Sequence, residues 1–337
     1  MILNCYFTVG DNPDGYLESL CKNIYEKLKQ QHPHIDFLHI YHNIPGLNYD
    51  AARGLVPNAC ASLTIRPLTF QIINPENNKA IFLSFADRGL ECIRTKHFTS
   101  VEDRWSDFLE KYDVVQYIGG LGIYLSDHDI QHVHGLKRYK FQPYLSDEQH
   151  KSTCFSQYVR PYTFDDKKRR ICFYGSDYNP RSEICDILRK HPLFDIVLTN
   201  NTTKMGYRKE EYYKNISDSR IGLSFNGYGE VSVRDFEYFG LKIPSIRAKL
   251  NTQFYNEIVP NKHYISVDIP SSNASNEYDM SYKECADKII HTAENVIDDY
   301  NTLKSISDNS YDYCVNYLTN QYLTDLFFKI ANIDLLK

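Results

Sequence analysis

No run of apolar residues in this sequence approaches the roughly 20 that cross a membrane as a helix, so no integral membrane segment is expected. The opening residues Met1 to Tyr6 have neither the basic start nor the long apolar core of a secretory signal, and the expected location is the cytoplasm. Positive charge is not in excess: 38 Lys and Arg stand against 43 Asp and Glu, a net charge of −5. That balance gives no electrostatic reason to expect nucleic acid or an anionic membrane as partner. The C-x-x-C pairing is missing, and the nine cysteines, at 5, 21, 60, 92, 154, 172, 185, 285 and 314, are odd in number and widely spread. They read as reduced thiols, which argues against a disulfide framework or a cysteine-built metal site. No short internal repeat is visible.

What is present suits a globular α/β chain. The 337 residues are long for one domain and comfortable for two of about 150 each. A hydrophobic content of 42% and a charged content of 24% are ordinary for such a protein. The 28 tyrosines would serve a sugar-handling surface and a core equally well. In the first half, residues 2–9 read as a strand, Tyr16, Leu20, Ile24 and Leu28 recur at helical spacing, and Phe37 to Tyr41 form a second strand. That β-α-β order opens a parallel sheet. Residues 43–78 read as irregular, with prolines at 45, 57, 67 and 75. Two further apolar strands, Ala80 to Phe85 and Val114 to Ile118, flank a helical pattern at Val101 to Lys111. The charged run Asp165 to Arg170 reads as a solvated link. Beyond it the strand, loop, helix order repeats: strands at Arg170 to Tyr174, Phe194 to Leu198 and Arg220 to Phe225, helices at Arg181 to Lys190 and Lys209 to Ser217. The tail from about Tyr282 carries two or three helical patterns.

The most informative stretch is Asn226 to Arg247, a loop and short helix between two strands. In an open α/β sheet a loop in this place lies at a strand's carboxyl end and a helix's amino end, where ligands bind. Gly227 and Gly229 allow backbone N–H groups to approach a ligand closely. Ser232 followed three residues later by Asp235 resembles a capping box. Arg234 and Glu237 then share one helix face, a guanidinium suited to phosphate and a carboxylate suited to ribose hydroxyls. Together they suit a nucleoside diphosphate, although an ordinary surface ion pair has the same spacing.

The run Gly-Tyr-Gly-Glu-Val-Ser-Val-Arg-Asp-Phe-Glu-Tyr-Phe-Gly-Leu-Lys-Ile-Pro at 227–244 resembles the donor-binding segment of nucleotide-sugar glycosyltransferases of the glycosyltransferase-B fold. Its Arg-x-Phe-Glu core followed by Gly-x-x-Pro is similar to exostosin-like transferases. Val259-Pro260-Asn261-Lys262-His263-Tyr264-Ile265 is similar to the Pro…His-Tyr-Ile run of those and of protein O-glucosyltransferase-like families. The resemblance covers about residues 170–268. It implies two facing Rossmann-like domains, an acceptor domain at 1–165 and a nucleotide-sugar domain at 170–275, with helices at 280–337 packing across them. It also implies a metal-independent transfer of a sugar to an acceptor hydroxyl, of a glycan or another molecule, with no cofactor beyond the nucleoside-diphosphate sugar. Arg234 would contact the diphosphate and Glu237 the ribose. The donor set would include Gly175, Arg181, Asn226, Gly227, Tyr228, Gly229, Glu230 and Ser232, with Lys204 or Arg208 adding charge. Glu230 stands seven residues before Glu237, one fewer than in the two-glutamate pattern of retaining members of the broader fold.

Sugar transfer from a diphosphate needs the departing charge stabilised and the acceptor hydroxyl deprotonated. Arg234 suits the first task, and Asp87, at the end of an apolar strand, is the candidate base, with Asp127 and His128 behind it. Asp127-His128-Asp129 also matches a D-x-D metal motif, and His128, His132 and His134 could imitate zinc ligands; the triplet follows no clear strand, and loop or helix-surface placement is the expected reading of both groups. Two rivals keep the same architecture: a nucleotide-sugar epimerase, and a non-catalytic nucleotide-sugar or carbohydrate-binding protein.

Overall fold

The computed structural model describes residues 2–9, 16–42, 68–74, 76–77, 79–84, 113–119, 139–141, 158–177, 181–199, 209–226, 231–250, 254–270 and 280–330. The chain divides into two compact units: residues 1–146, 253–255 and 320–337 make the first, and 147–252 and 256–319 the second.

The first unit carries β1 (Ile2–Val9), α1 (Tyr16–Gln31), β2 (Asp36–His42), β3 (Leu68–Asn74), β4 (Lys79–Ser84), β5 (Asp113–Gly119) and β6 (Tyr139–Phe141). Its sheet runs in the order β2-β1-β3-β4-β5-β6. All neighbours are parallel except β3, which is antiparallel to both β1 and β4. β3 corrects the expectation that residues 43–78 are irregular. Its residues Leu68, Phe70 and Ile72 alternate with Thr69 and Gln71, the period of a strand. Pro67 and Pro75 flank it in sequence and leave the strand itself free of proline. A tight connection joins β3 to β4. In it the side chain of Asn74 accepts from the Glu76 N–H at 2.9 Å, and that of Asn77 from the Lys79 N–H at 3.1 Å.

The second unit carries β7 (Lys168–Ser176), α2 (Arg181–Leu188), β8 (Phe194–Thr199), α3 (Lys209–Ser217), β9 (Ser219–Leu223), α4 (Val233–Gly240), β10 (Ser245–Ala248), β11 (Ile265–Val267), α5 (Tyr282–Val296) and α6 (Tyr300–Tyr317). The last helix, α7 (Asn320–Ile330), returns to the first unit, where Asp325 pairs with Lys27 of α1 at 2.5 Å. The second sheet is wholly parallel, in the order β8-β7-β9-β10-β11. Counted along the chain that is 2-1-3-4-5, a doubly wound sheet whose strand order reverses between β7 and β9. Parallel strands covered on both faces read as continuous apolar runs, and Ile171, Cys172, Phe173 and Tyr174 are accordingly all buried. They join Ile184 and Leu188 of α2, Ile221 and Leu223 of β9, Ile246 of β10 and Ile289 of α5 in or beside one core.

In the run Asp165 to Arg170, Asp165, Asp166, Lys168 and Arg169 are exposed as expected, but the run is no mere link, since β7 begins within it at Lys168. Lys167 is buried, and its ammonium donates to the Ser217 carbonyl at 2.8 Å, at the end of α3. Burial lowers its pKa to about 8. Arg170, inside β7, donates to Ser219 Oγ at 2.9 Å and to the Asn215 carbonyl at 3.1 Å, and pairs with Asp195 of β8. Charged residues can open a strand when partners wait on its neighbours.

Candidate anion site at the strand switch point

The crevice at a doubly wound sheet's switch point lies beyond the carboxyl ends of the two strands that flank it. Here those ends are Tyr174 to Ser176 of β7 and the residues Ser224 to Asn226 that follow β9. Arg234, in the first turn of α4, reaches the first of them. Its Nη2 donates to the Tyr174 carbonyl at 2.7 Å, and its guanidinium carbon lies 4.5 Å from the centre of the Phe173 ring. Its Nε is buried without a partner among the described residues. The charge is permanent, since guanidinium does not deprotonate in proteins.

Gly175 makes this placement possible. A Cβ there would stand 2.8 Å from Arg234 Nη2 and 3.0 Å from the Phe173 ring. Any other residue would push the guanidinium off the strand end. Arg181, at the start of α2, lies over the same ring with its guanidinium carbon at 5.6 Å, and only 7% of its surface is exposed. Gly175, Arg181 and Arg234 thus meet around Phe173.

The loop between β9 and α4 is held at both ends. Ser232 is extended, with φ −112° and ψ 157°, as an N-cap residue should be. The Asp235 carboxylate accepts from its N–H at 2.8 Å and its Oγ–H at 3.1 Å, the return half of a capping box. Arg247 of β10 then pairs with the same carboxylate at 2.8 Å, both side chains being 2% exposed, and donates to Asn226 Oδ1 at 3.2 Å. Asn226 before the loop and Ser232 after it are therefore tied to one buried ion pair. Arg247 closes the motif in sequence, but nothing in spacing alone marks it as the anchor. An arginine within a short apolar strand is the one available signal.

Glu237 does not pair with Arg234: among the described residues no N–O contact of 4 Å or less joins them. Its Oε2 accepts from the Tyr212 hydroxyl at 2.6 Å and its Oε1 from that of Tyr213 at 3.2 Å, both on α3. The surface ion-pair reading of 234 and 237 does not hold. Tyr212 and Tyr213 carry no sequence signal beyond their place in a chain rich in tyrosine.

Behind the site, Tyr174 donates to Asp195 Oδ2 at 2.7 Å, and burial pushes its phenol up. Tyr238 of α4 lies over Gly222, where a Cβ would stand 2.5 Å from its ring, and donates to the Leu223 carbonyl at 3.1 Å. α4 ends in a Schellman turn. The Ile243 N–H reaches the Tyr238 carbonyl at 2.9 Å and the Lys242 N–H that of Phe239 at 3.2 Å, with Lys242 at φ 58°.

In the run at 259–265, Asn261 is left-handed at φ 58°, and the buried His263 accepts the Val259 N–H on Nδ1 at 2.8 Å. Burial, aided by the charge of Lys262, lowers its pKa to about 4, so His263 is a neutral turn-builder.

Asp87, Asp127, His128, His132, His134, Lys204, Arg208, Gly227, Tyr228, Gly229 and Glu230 lie outside the described residues. Among the described residues, no three His, Cys, Asp or Glu side chains gather closely enough to hold a metal ion.

No protein-family model matches the chain, and no curated protein matches it in sequence. Solved structures do match in shape. WaaG, a glycosyltransferase involved in lipopolysaccharide biosynthesis, superposes over 98% of this chain and 100% of its own at a TM-score of 0.53 and 10% identity. The fold resembles that of WaaG. Anabaena HepE, solved in complex with UDP-glucose, matches over 97% of this chain and 98% of its own at a TM-score of 0.48 and 10% identity. Sucrose-phosphate synthase from Thermosynechococcus elongatus matches over 75% of this chain and 67% of its own at 0.43 and 11%. At 10% identity the likeness to WaaG is one of fold, the α/β architecture expected of the glycosyltransferase-B fold.

Proposed function

We propose that the chain is a glycosyltransferase that moves a sugar from a nucleoside-diphosphate sugar to an acceptor hydroxyl of a glycan, without a metal ion. One observation carries this reading. A permanently charged guanidinium, Arg234, is laid against the carboxyl end of β7 at the strand switch point, in space that only Gly175 leaves open. Arg181 adds a second positive charge beside the same ring. A departing diphosphate develops negative charge as the glycosidic bond breaks, and preorganised cations stabilise that state more than the ground state. Glu237, one helical turn from Arg234, would accept from the donor's ribose. The acceptor's proton would pass to a carboxylate or histidine of the first unit, for which Asp87 remains the candidate. Exostosin-like or O-glucosyltransferase-like specificity belongs to the same proposal, resting on the 227–244 and 259–265 runs.

The test is a thermal-shift screen against UDP, GDP, ADP and CMP, followed by product analysis with the sugar form of whichever binds. A ligand at 100 times its Kd raises stability by about 2.7 kcal/mol, enough to single out one nucleotide. Transfer to an acceptor that survives excess EDTA is the expected product. An isomerised donor, binding without turnover, or activity lost to EDTA and restored by Mn²⁺ would each replace this reading.

A further inference from the structure

Glu237 is held by neutral donors. Tyr212 and Tyr213 are neighbours on α3, their rings 5.3 Å apart, and each takes a different oxygen of the one carboxylate. Tyr213 is 1% exposed; Tyr212 is half-buried, its ring set edge-on to that of Tyr174 at 6.5 Å. Burial and the Glu237 charge push the Tyr212 phenol up, so the hydroxyl stays protonated and donates. An ionised carboxylate offers about four lone-pair positions, two per oxygen. Among the described residues, one phenol on each oxygen leaves one position open on each. Two acceptor positions on the two oxygens of one carboxylate match a vicinal diol, and the Arg234 guanidinium, which also meets the Tyr212 side chain, acts on Glu237 by its charge and not by a direct ion-pair contact.

We propose that Tyr212 and Tyr213 are positioning residues that hold Glu237 as a double acceptor for the 2′,3′-diol of a ribose, making the site selective for ribonucleoside over deoxyribonucleoside diphosphates. The inference rests on the donor-site reading above. A purely structural role, two phenols satisfying a partly buried carboxylate, would leave ligand selectivity untouched.

The test uses the full chain and isothermal titration with the nucleoside diphosphate that most raises its thermal stability, beside the 2′,3′-dideoxy form. Wild type should prefer the ribo form by about 10-fold or more, since losing partners for a charged acceptor is costly. Glu237→Gln should shrink that ratio. Tyr212→Phe and Tyr213→Phe should each bring it to within about 3-fold. A ratio kept at the wild-type value in both tyrosine variants, with Glu237→Gln losing it, makes the phenols structural and overturns the inference. Equal binding of the two forms by wild type overturns it as well. If wild type binds no nucleoside diphosphate, the donor-site reading itself falls, and this role with it. Should Tyr213→Phe fail to fold, the half-buried Tyr212→Phe decides.

Discussion

Asp235 is the residue on which the local structure most depends. It caps α4 through Ser232 and neutralises the buried guanidinium of Arg247, which in turn holds Asn226. Breaking a buried pair by deleting one partner leaves an uncompensated charge and costs about 3–5 kcal/mol, several times the value of the cap alone. Asp235→Ala is therefore expected to lower unfolding stability by an amount in that range, measured as a shift in the urea midpoint at constant m. A loss under about 1 kcal/mol would mean that Arg247 finds water or another acceptor in the variant. The neighbouring Arg234 differs in kind. Its one carbonyl bond anchors the guanidinium on β7 without cancelling its charge.

At the scale of elements, the turn at Val259 to Tyr264 gives a pH signature. His263 accepts the Val259 N–H, and burial holds its pKa at about 4, below the ordinary value of 6.5. Between those values the unfolded chain takes up a proton that the folded chain refuses, so this contribution is full above about pH 6.5 and shrinks as the pH falls towards 4. The loss is at most on the order of 3 kcal/mol. Denaturant titrations at pH 7 and pH 5 should show a steeper fall for wild type than for His263→Asn; parallel slopes would remove His263 as the cause. Sequence patterns reveal such elements unevenly. β1 and α3 are legible to their ends because apolar period and turn residues agree there, and Arg234 with Glu237 is legible because the helix period puts them on one face. β3 is hidden by the prolines that bracket it. Arg247, Tyr212 and Tyr213 are hidden because their roles come from residues 12 to 25 positions away, a distance that sheet and helix packing spans and local spacing does not.

For the whole molecule, the second unit's strand order concentrates polar residues at one sheet edge. The strand order reverses between β7 and β9, and β7 and α4 bring Gly175 and Arg234 to that edge; α2 brings Arg181 beside them. The run at 227–244 includes α4 and with it Arg234, and so belongs to this edge. The proposed chemistry turns on Arg234 stabilising a departing diphosphate. The direct measurement is the transfer rate of Arg234→Ala, its fold verified by circular dichroism and its melting point above the assay temperature. Removal of one preorganised donor costs about 100- to 1,000-fold in rate, and a loss of that size is the expected result. A variant that folds normally and transfers sugar at the wild-type rate would contradict that role for Arg234.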